Sequence, residues 1–208
     1  LDSDYVATLS DTTITATVLN AVNGNVPGTV NASTVATITG AAADINTAYA
    51  ASGFSGLGDE AVTVTDTTVE ASVLNTLNSN TTGLVTATSV ATLTGTAAAI
   101  NTLVGNEGDS GDKVNLDSDY VATLSDTTIT ATVLNAVNGN VPGTVNASTV
   151  ATITGAAADI NTAYAASGFS GLGDEAVTIN DTTVEASVLN TLNSNTTGLV
   201  TATSVATL

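Results

Sequence analysis

The stretch Asp66-Thr-Thr-Val-Glu-Ala-Ser-Val-Leu-Asn75 decides how this chain folds. Val69, Val73, Leu74 and Leu77 stand at i, i+4, i+5 and i+8, so successive turns return an apolar side chain to one face, as in a helix. Asp66 or Thr67 is suited to cap that helix, and Thr67-x-x-Glu70 matches the reciprocal capping box. Upstream, Glu60-Ala-Val-Thr-Val-Thr-Asp66 alternates, with Val62 and Val64 on one side and Thr63 and Thr65 on the other, which predicts a short strand. Downstream, Gly83 breaks the pattern and Leu84–Ala87 suits a second strand. Val90 and Leu93 form a short apolar turn closed at Gly95, and Ala97–Leu103 predicts a second helix ended by Gly105. The module reads strand–helix–strand–helix, two coils in 55 residues.

The module recurs. Asp11–Asn20 aligns with Asp66–Asn75, and Asn31–Asn46 with Thr86–Asn101. The Asp-Thr-Thr starts fall at Asp11, Asp66, Asp126 and Asp181, spaced 55, 60 and 55, with the extra residues near Asn106–Asn115. A longer repeat lies above this one. Residues 1–93 return as 116–208, and only Val64/Ile179 and Thr65/Asn180 differ. Residues 1–115 are therefore a first long repeat with sub-repeats 11–65 and 66–115, and 116–208 a second with sub-repeats 126–180 and 181–208. Leu208 corresponds to Leu93 in mid-module, so the expectation is a window on a longer array. Fixed periods of this size belong to solenoids, in which each module buries its apolar face on the next.

Composition restricts the chemistry. Across 208 residues there are 19 acidic side chains and one base, Lys113, for a formal net charge of −18. With no His and no Cys, there is no Ser-His or Cys-His nucleophile, no thiolate zinc site and no disulfide. A single Lys makes no basic face, so nucleic acid is not an expected partner. Mean hydropathy is +0.34, yet Thr, Asn and Gly interrupt every apolar run, and no membrane insertion is expected. Aromatic residues make up 3%, and small aliphatic residues supply nearly all the apolar content, which suits a narrow stacked core better than a wide one. Strong acidity with almost no Lys fits a salty exterior, where screening weakens self-repulsion, and this predicts an extracellular bacterial surface location.

The expected fold is an α/β solenoid of stacked strand–helix coils with a parallel sheet. The alternative is an all-β solenoid, because a chain rich in Thr, Val and Asn also suits strands. DTTVEASVLNTLNSNTTGLVTATSVATLTGTAAAIN, residues 66–101, resembles the tandem repeats of very large secreted cell-surface proteins of bacteria, above all of marine cyanobacteria, a group that includes a swimming-motility surface protein. The likeness runs through all four modules. It implies an extracellular, non-enzymatic role in building an array or in adhesion, and it brings no catalytic residues with it.

The function expected on these grounds is structural: self-association of copies or repeats into a rod, filament or surface layer, with no enzymatic activity. The alternative is an adhesin stalk or a binding module for calcium or glycan, with surface polysaccharide as partner. The candidate Ca²⁺ ligands are Asp109, Asp112, Asp117 and Asp119 in the Gly-rich linker, since Ca²⁺ takes six to eight hard oxygens. The plain alternative there is a turn with solvated carboxylates. Asp2 and Asp4 repeat Asp117 and Asp119. Gly58-Asp-Glu60 and Gly173-Asp-Glu175 read as solvated turns, because adjacent acids do not face each other across a substrate. Asn20, Asn75, Asn135 and Asn190 hold equivalent places and are candidates for a side-chain ladder between coils, or for helix residues facing water. Tyr49, Phe54, Tyr164 and Phe169 read as plugs in a core of small residues.

Overall fold

A computed structural model describes residues 5–208. Asp2 and Asp4 lie outside the described residues. Among the described residues there are seven helices: α1 (Ala16–Asn25), α2 (Ala42–Ala50), α3 (Ala71–Asn80), α4 (Ala97–Gly105), α5 (Ala131–Asn140), α6 (Ala157–Ala165) and α7 (Ala186–Asn195). Strands of two to four residues alternate with them, and every strand pairing is parallel. The fold is a repeat of strand–helix coils with parallel sheets, an α/β solenoid, as the sequence predicts. The chain forms two compact units, one of residues up to Thr92 with Gly105–Ser118, the other of Leu93–Val104 with Asp119–Leu208.

In the first unit, strands Thr13–Thr15, Thr37–Gly40, Ala61–Val64, Val85–Ala87 and Val114–Leu116 lie side by side in that order. Their register aligns Ile14, Ile38, Val62, Val85 and Val114 in one column. All five are buried, whereas their Thr neighbours such as Thr13 and Thr15 are exposed. Stacking β-branched residues on one face and hydroxyls on the other is what a period of two achieves when only one face is covered. A second sheet sets Ala7–Thr8, Val30–Asn31 and Phe54–Ser55 in parallel. The second unit repeats the scheme. Strands Thr128–Thr130, Thr152–Gly155, Ala176–Ile179 and Val200–Thr201 align Ile129, Ile153, Val177 and Val200.

Six of the helices bury a stripe beginning with Ala followed three residues on by Leu or Ile. Examples are Ala42, Ile45 and Ala48 on α2 and Ala71, Leu74 and Leu77 on α3. The stripe is narrow because each helix is only nine or ten residues long and covers one side of a coil. The leading Ala permits a close approach. A Cβ on Gly40 would come within 3.2 Å of the Ala16 Cβ, and Gly155 stands in the same relation to Ala131. Both glycines also hold positive φ, 150° and 149°, which any other residue adopts only under strain.

The pairing period differs from the sequence repeat. Thr13 pairs with Thr37 and Thr37 with Ala61, so one coil is 24 residues. The sequence reading put two coils in each 55-residue module; the structure places two and a third there, two coils plus one seven-residue side. That extra side is the step from Ala61–Val64 to Thr68–Glu70, which carries no helix. In consequence the helix moves to another side of the coil from one module to the next. Ala61–Val64 shows the change: it pairs on one edge with Thr37–Gly40, which leads into α2, and on the other with Val85–Ala87, which comes out of α3. In the second unit Ala176–Ile179 stands in the same way between Thr152–Gly155, leading into α6, and Val200–Thr201, coming out of α7.

One local expectation is corrected. The capping box Thr67-x-x-Glu70 does not form, because Thr68–Glu70 is a strand and α3 starts at Ala71 with Glu70 at its N-cap and no side-chain cap. Extending those residues lets the valine of Thr68-Val-Glu70 be buried as part of a strand. Asp66 caps a different helix.

Candidate functional site

The polar chemistry of this chain is concentrated at the joints between stacked coils. Ala41 and Ala156 occupy the N-cap positions of α2 and α6 and have no side-chain oxygen to offer. The acceptor comes from one coil further along. Asp66 Oδ2 accepts from the Ala42 N–H at 2.8 Å, Asp181 Oδ2 from Ala157 at 2.8 Å, and Asp126 Oδ2 from Ala97, the first residue of α4, at 2.8 Å. A carboxylate against a helix N-terminus satisfies a donor that the helix itself cannot pair, and it opposes the positive end of the dipole. Each such contact both caps a helix and fixes the next coil on it.

Asparagines form the second type of joint. Asn20 Nδ2 on α1 donates to the Asp44 carbonyl of α2 at 2.9 Å, and Asn135 on α5 donates to the Asp159 carbonyl of α6 at 2.9 Å. These two are the expected ladder contacts. Asn190 is exposed on α7, and Asn75 is half-buried on α3. The ladder goes on through residues that the sequence reading passed over. Asn46 Nδ2 donates to the Val73 carbonyl at 3.0 Å while Asn46 Oδ1 accepts from Asn80 at 3.0 Å, and Asn161 does the same with Val188 and Asn195. Asn140 donates to Asn101 at 2.9 Å. An amide suits this place because it carries donor and acceptor together and can serve two neighbours at once.

The Gly-Asp-Glu turns are a correction. Glu60 and Glu175 are each 1% exposed and are not solvated. Glu60 Oε2 accepts from the Tyr49 hydroxyl and from the Gly58 N–H, both at 2.9 Å, and Glu175 Oε2 accepts likewise from Tyr164 and Gly173. The Glu60 carbonyl takes the Thr81 hydroxyl at 2.7 Å, with Thr196 on Glu175 in the second copy. Burial first, and then the neighbouring Glu60 carboxylate, hold the Tyr49 hydroxyl well above the usual range for tyrosine; Tyr164 is raised chiefly by burial, with Glu175 adding to it. Tyr49, Phe54, Tyr164 and Phe169 are half-buried, so they close the coil at its surface; the fully buried plug is Tyr120, 1% exposed. Spacing offered one cue to the Tyr–Glu pair, since each Glu follows its Tyr by 11 residues in both copies.

Asp109 and Asp112 stand exposed on the bend before Val114–Leu116, and Asp117 and Asp119 on the turn after it. Among the described residues no group of three or more His, Cys, Asp or Glu comes together as a metal would require. No helix is long and apolar enough to cross a membrane. No family model matches the chain, and neither a curated protein nor a solved structure does.

Proposed function

We propose that this chain is structural and that stacking is its work: it is a segment of an extracellular bacterial tandem-repeat scaffold that lengthens by adding coils. The observation that carries this reading is the recurrence of one joint. The carboxylate-to-helix contact occurs three times at 2.8 Å, and the asparagine contacts recur in both copies with the same partners. The polar side chains held by long-range hydrogen bonds are used on neighbouring coils, which is the investment expected of a stack. The mechanism is additive, with each coil covering the apolar column of the one before, so that length grows while the core stays narrow. The charge of −18 keeps neighbouring assemblies soluble and apart. The resemblance of residues 66–101 to repeats of giant bacterial surface proteins agrees with this reading.

The test joins one, two and three copies of the 115-residue repeat in one chain and measures each by small-angle scattering. With about five coils per copy at roughly 4.8 Å per strand, the longest dimension should rise by about 23 Å per copy at constant cross-section. Independent beads, with dimensions growing as for a flexible string, would overturn the reading.

A further inference from the structure

The two ends of the described chain carry residues that its interior copies keep covered. Leu74, Ala87, Val90 and Leu93 are each 0% exposed. Their equivalents in the second copy are Leu189, Ala202 and Val205, which are half-buried, and Leu208, which is 75% exposed. With Ala206 and Thr207 these four line an open apolar cavity of about 350 Å³. At the other end, Tyr120 is 1% and Val121 36% exposed, while their equivalents Tyr5 and Val6 are 45% and 58% exposed.

The fold holds a template for joining these ends. Val121–Leu124 lies in its sheet between Val145–Asn146 and Thr92–Gly95. Its equivalent Ala7–Thr8 pairs with Val30–Asn31 and is the edge strand of its sheet. The missing neighbour is the equivalent of Thr92–Gly95, which in the second copy begins at Thr207–Leu208. Thr207 bridges to Thr183, and nothing among the described residues follows it in that sheet. The chain thus ends on the strand that its own first strand is built to meet.

We propose that the last coil of one copy binds the first coil of a second copy, head to tail. Ala7–Thr8 adds as a parallel strand beside Thr207–Leu208, and Tyr5 and Val6 cover the apolar cavity. The surfaces are different, so the contact is heterologous and propagates without closing on itself. This rests on the stacking reading above and adds the partner and the residues. Two chains of charge −18 repel each other, so added salt strengthens the joint.

Sedimentation equilibrium of the full chain in about 1 M NaCl, where the Debye length is about 3 Å, tests this. The weight-average mass should climb above 20.2 kDa with concentration and show no fixed upper limit. Leu208→Asp blocks the tail and Val6→Asp the head; both positions are exposed, so each variant should melt like the parent. Each should be monomeric alone, and an equimolar mixture should yield dimers and nothing larger. A parent chain that stays monomeric to millimolar concentration, or a variant that still associates alone, would overturn the proposal. Equal length increments in the covalently joined copies would survive that failure, which separates this proposal from the reading it rests on.

Discussion

Replacing Asp66 by Ala isolates the inter-coil cap. The substitution removes the acceptor of the Ala42 N–H at 2.8 Å and leaves that donor partly buried at the start of α2. Losing a capping side chain costs about 1 kcal/mol, and a negative charge on a helix N-terminus adds about 0.3–1 kcal/mol. The expected loss is therefore about 2 kcal/mol. With a urea slope of roughly 2–3 kcal/mol/M for a chain of this size, the midpoint should fall by somewhat under 1 M. Asp66→Asn keeps an oxygen but not the charge and should lose about half as much. Asp59 is the control, being an exposed acid with no such contact. Neutralising it in a chain of charge −18 relieves repulsion, so Asp59→Asn should be neutral or slightly stabilising. Urea unfolding followed by circular dichroism reads the global cost, and amide exchange at Ala42 reads the local one. Identical behaviour of the Asp66 and Asp59 variants, with Ala42 still protected, would refute the idea that a carboxylate one coil away caps this helix.

Asn46→Ala removes both an amide donor and an acceptor between coils and should cost about 2 kcal/mol, while Asn190→Ala on the exposed face of α7 should cost nothing measurable by thermal melting. At Gly83 an added Cβ would overlap the Glu60 carbonyl, so Gly83→Ala should destabilise by about 1–3 kcal/mol in urea, whereas Gly24→Ala, with open space around it, should not. The raised Tyr49 and Tyr164 hydroxyls predict an alkaline limit. Above pH 10 the unfolded chain loses these protons before the folded one does, so their contribution is complete below pH 10 and declines as pH rises further. Melting temperature followed from pH 8 upward should show that decline, and Tyr49→Phe with Tyr164→Phe should flatten it. Calcium at millimolar concentration should leave the melting temperature unchanged, because Asp112 and Asp117 lie on either side of the strand Val114–Leu116 and no trio of ligands converges.

Much of the architecture was written into local pattern. The alternation around Val62 and Val64 and the returns of Val69, Val73 and Leu74 mark strand and helix, because burying one face imposes a period of 2 or 3.6 on whatever sequence does it. Gly83 was visible as a break, although its cause, the Glu60 carbonyl pressed against it, was not. Asn20 and Asn135 could be suspected as ladder residues from their equivalent places after Val-Leu. Asn46 and Asn80 could not, since they meet only when residues 34 apart are brought together.

What the sequence by itself determined is the module: its repetition, its strands and helices, its parallel stacking and the poverty of its catalytic chemistry. What only the tertiary structure decided is how the modules meet. A coil closes after 24 residues, but identity recurs after 55, so each module starts one side round from the last and equivalent residues meet non-equivalent neighbours. That mismatch sends Asp66 to α2 and not to the helix that follows it, and it buries Glu60 under Tyr49 where its position in a Gly-Asp-Glu turn suggested water. Local propensity acts over a few residues; the partner of a side chain is set by the length of chain needed to come once around the core.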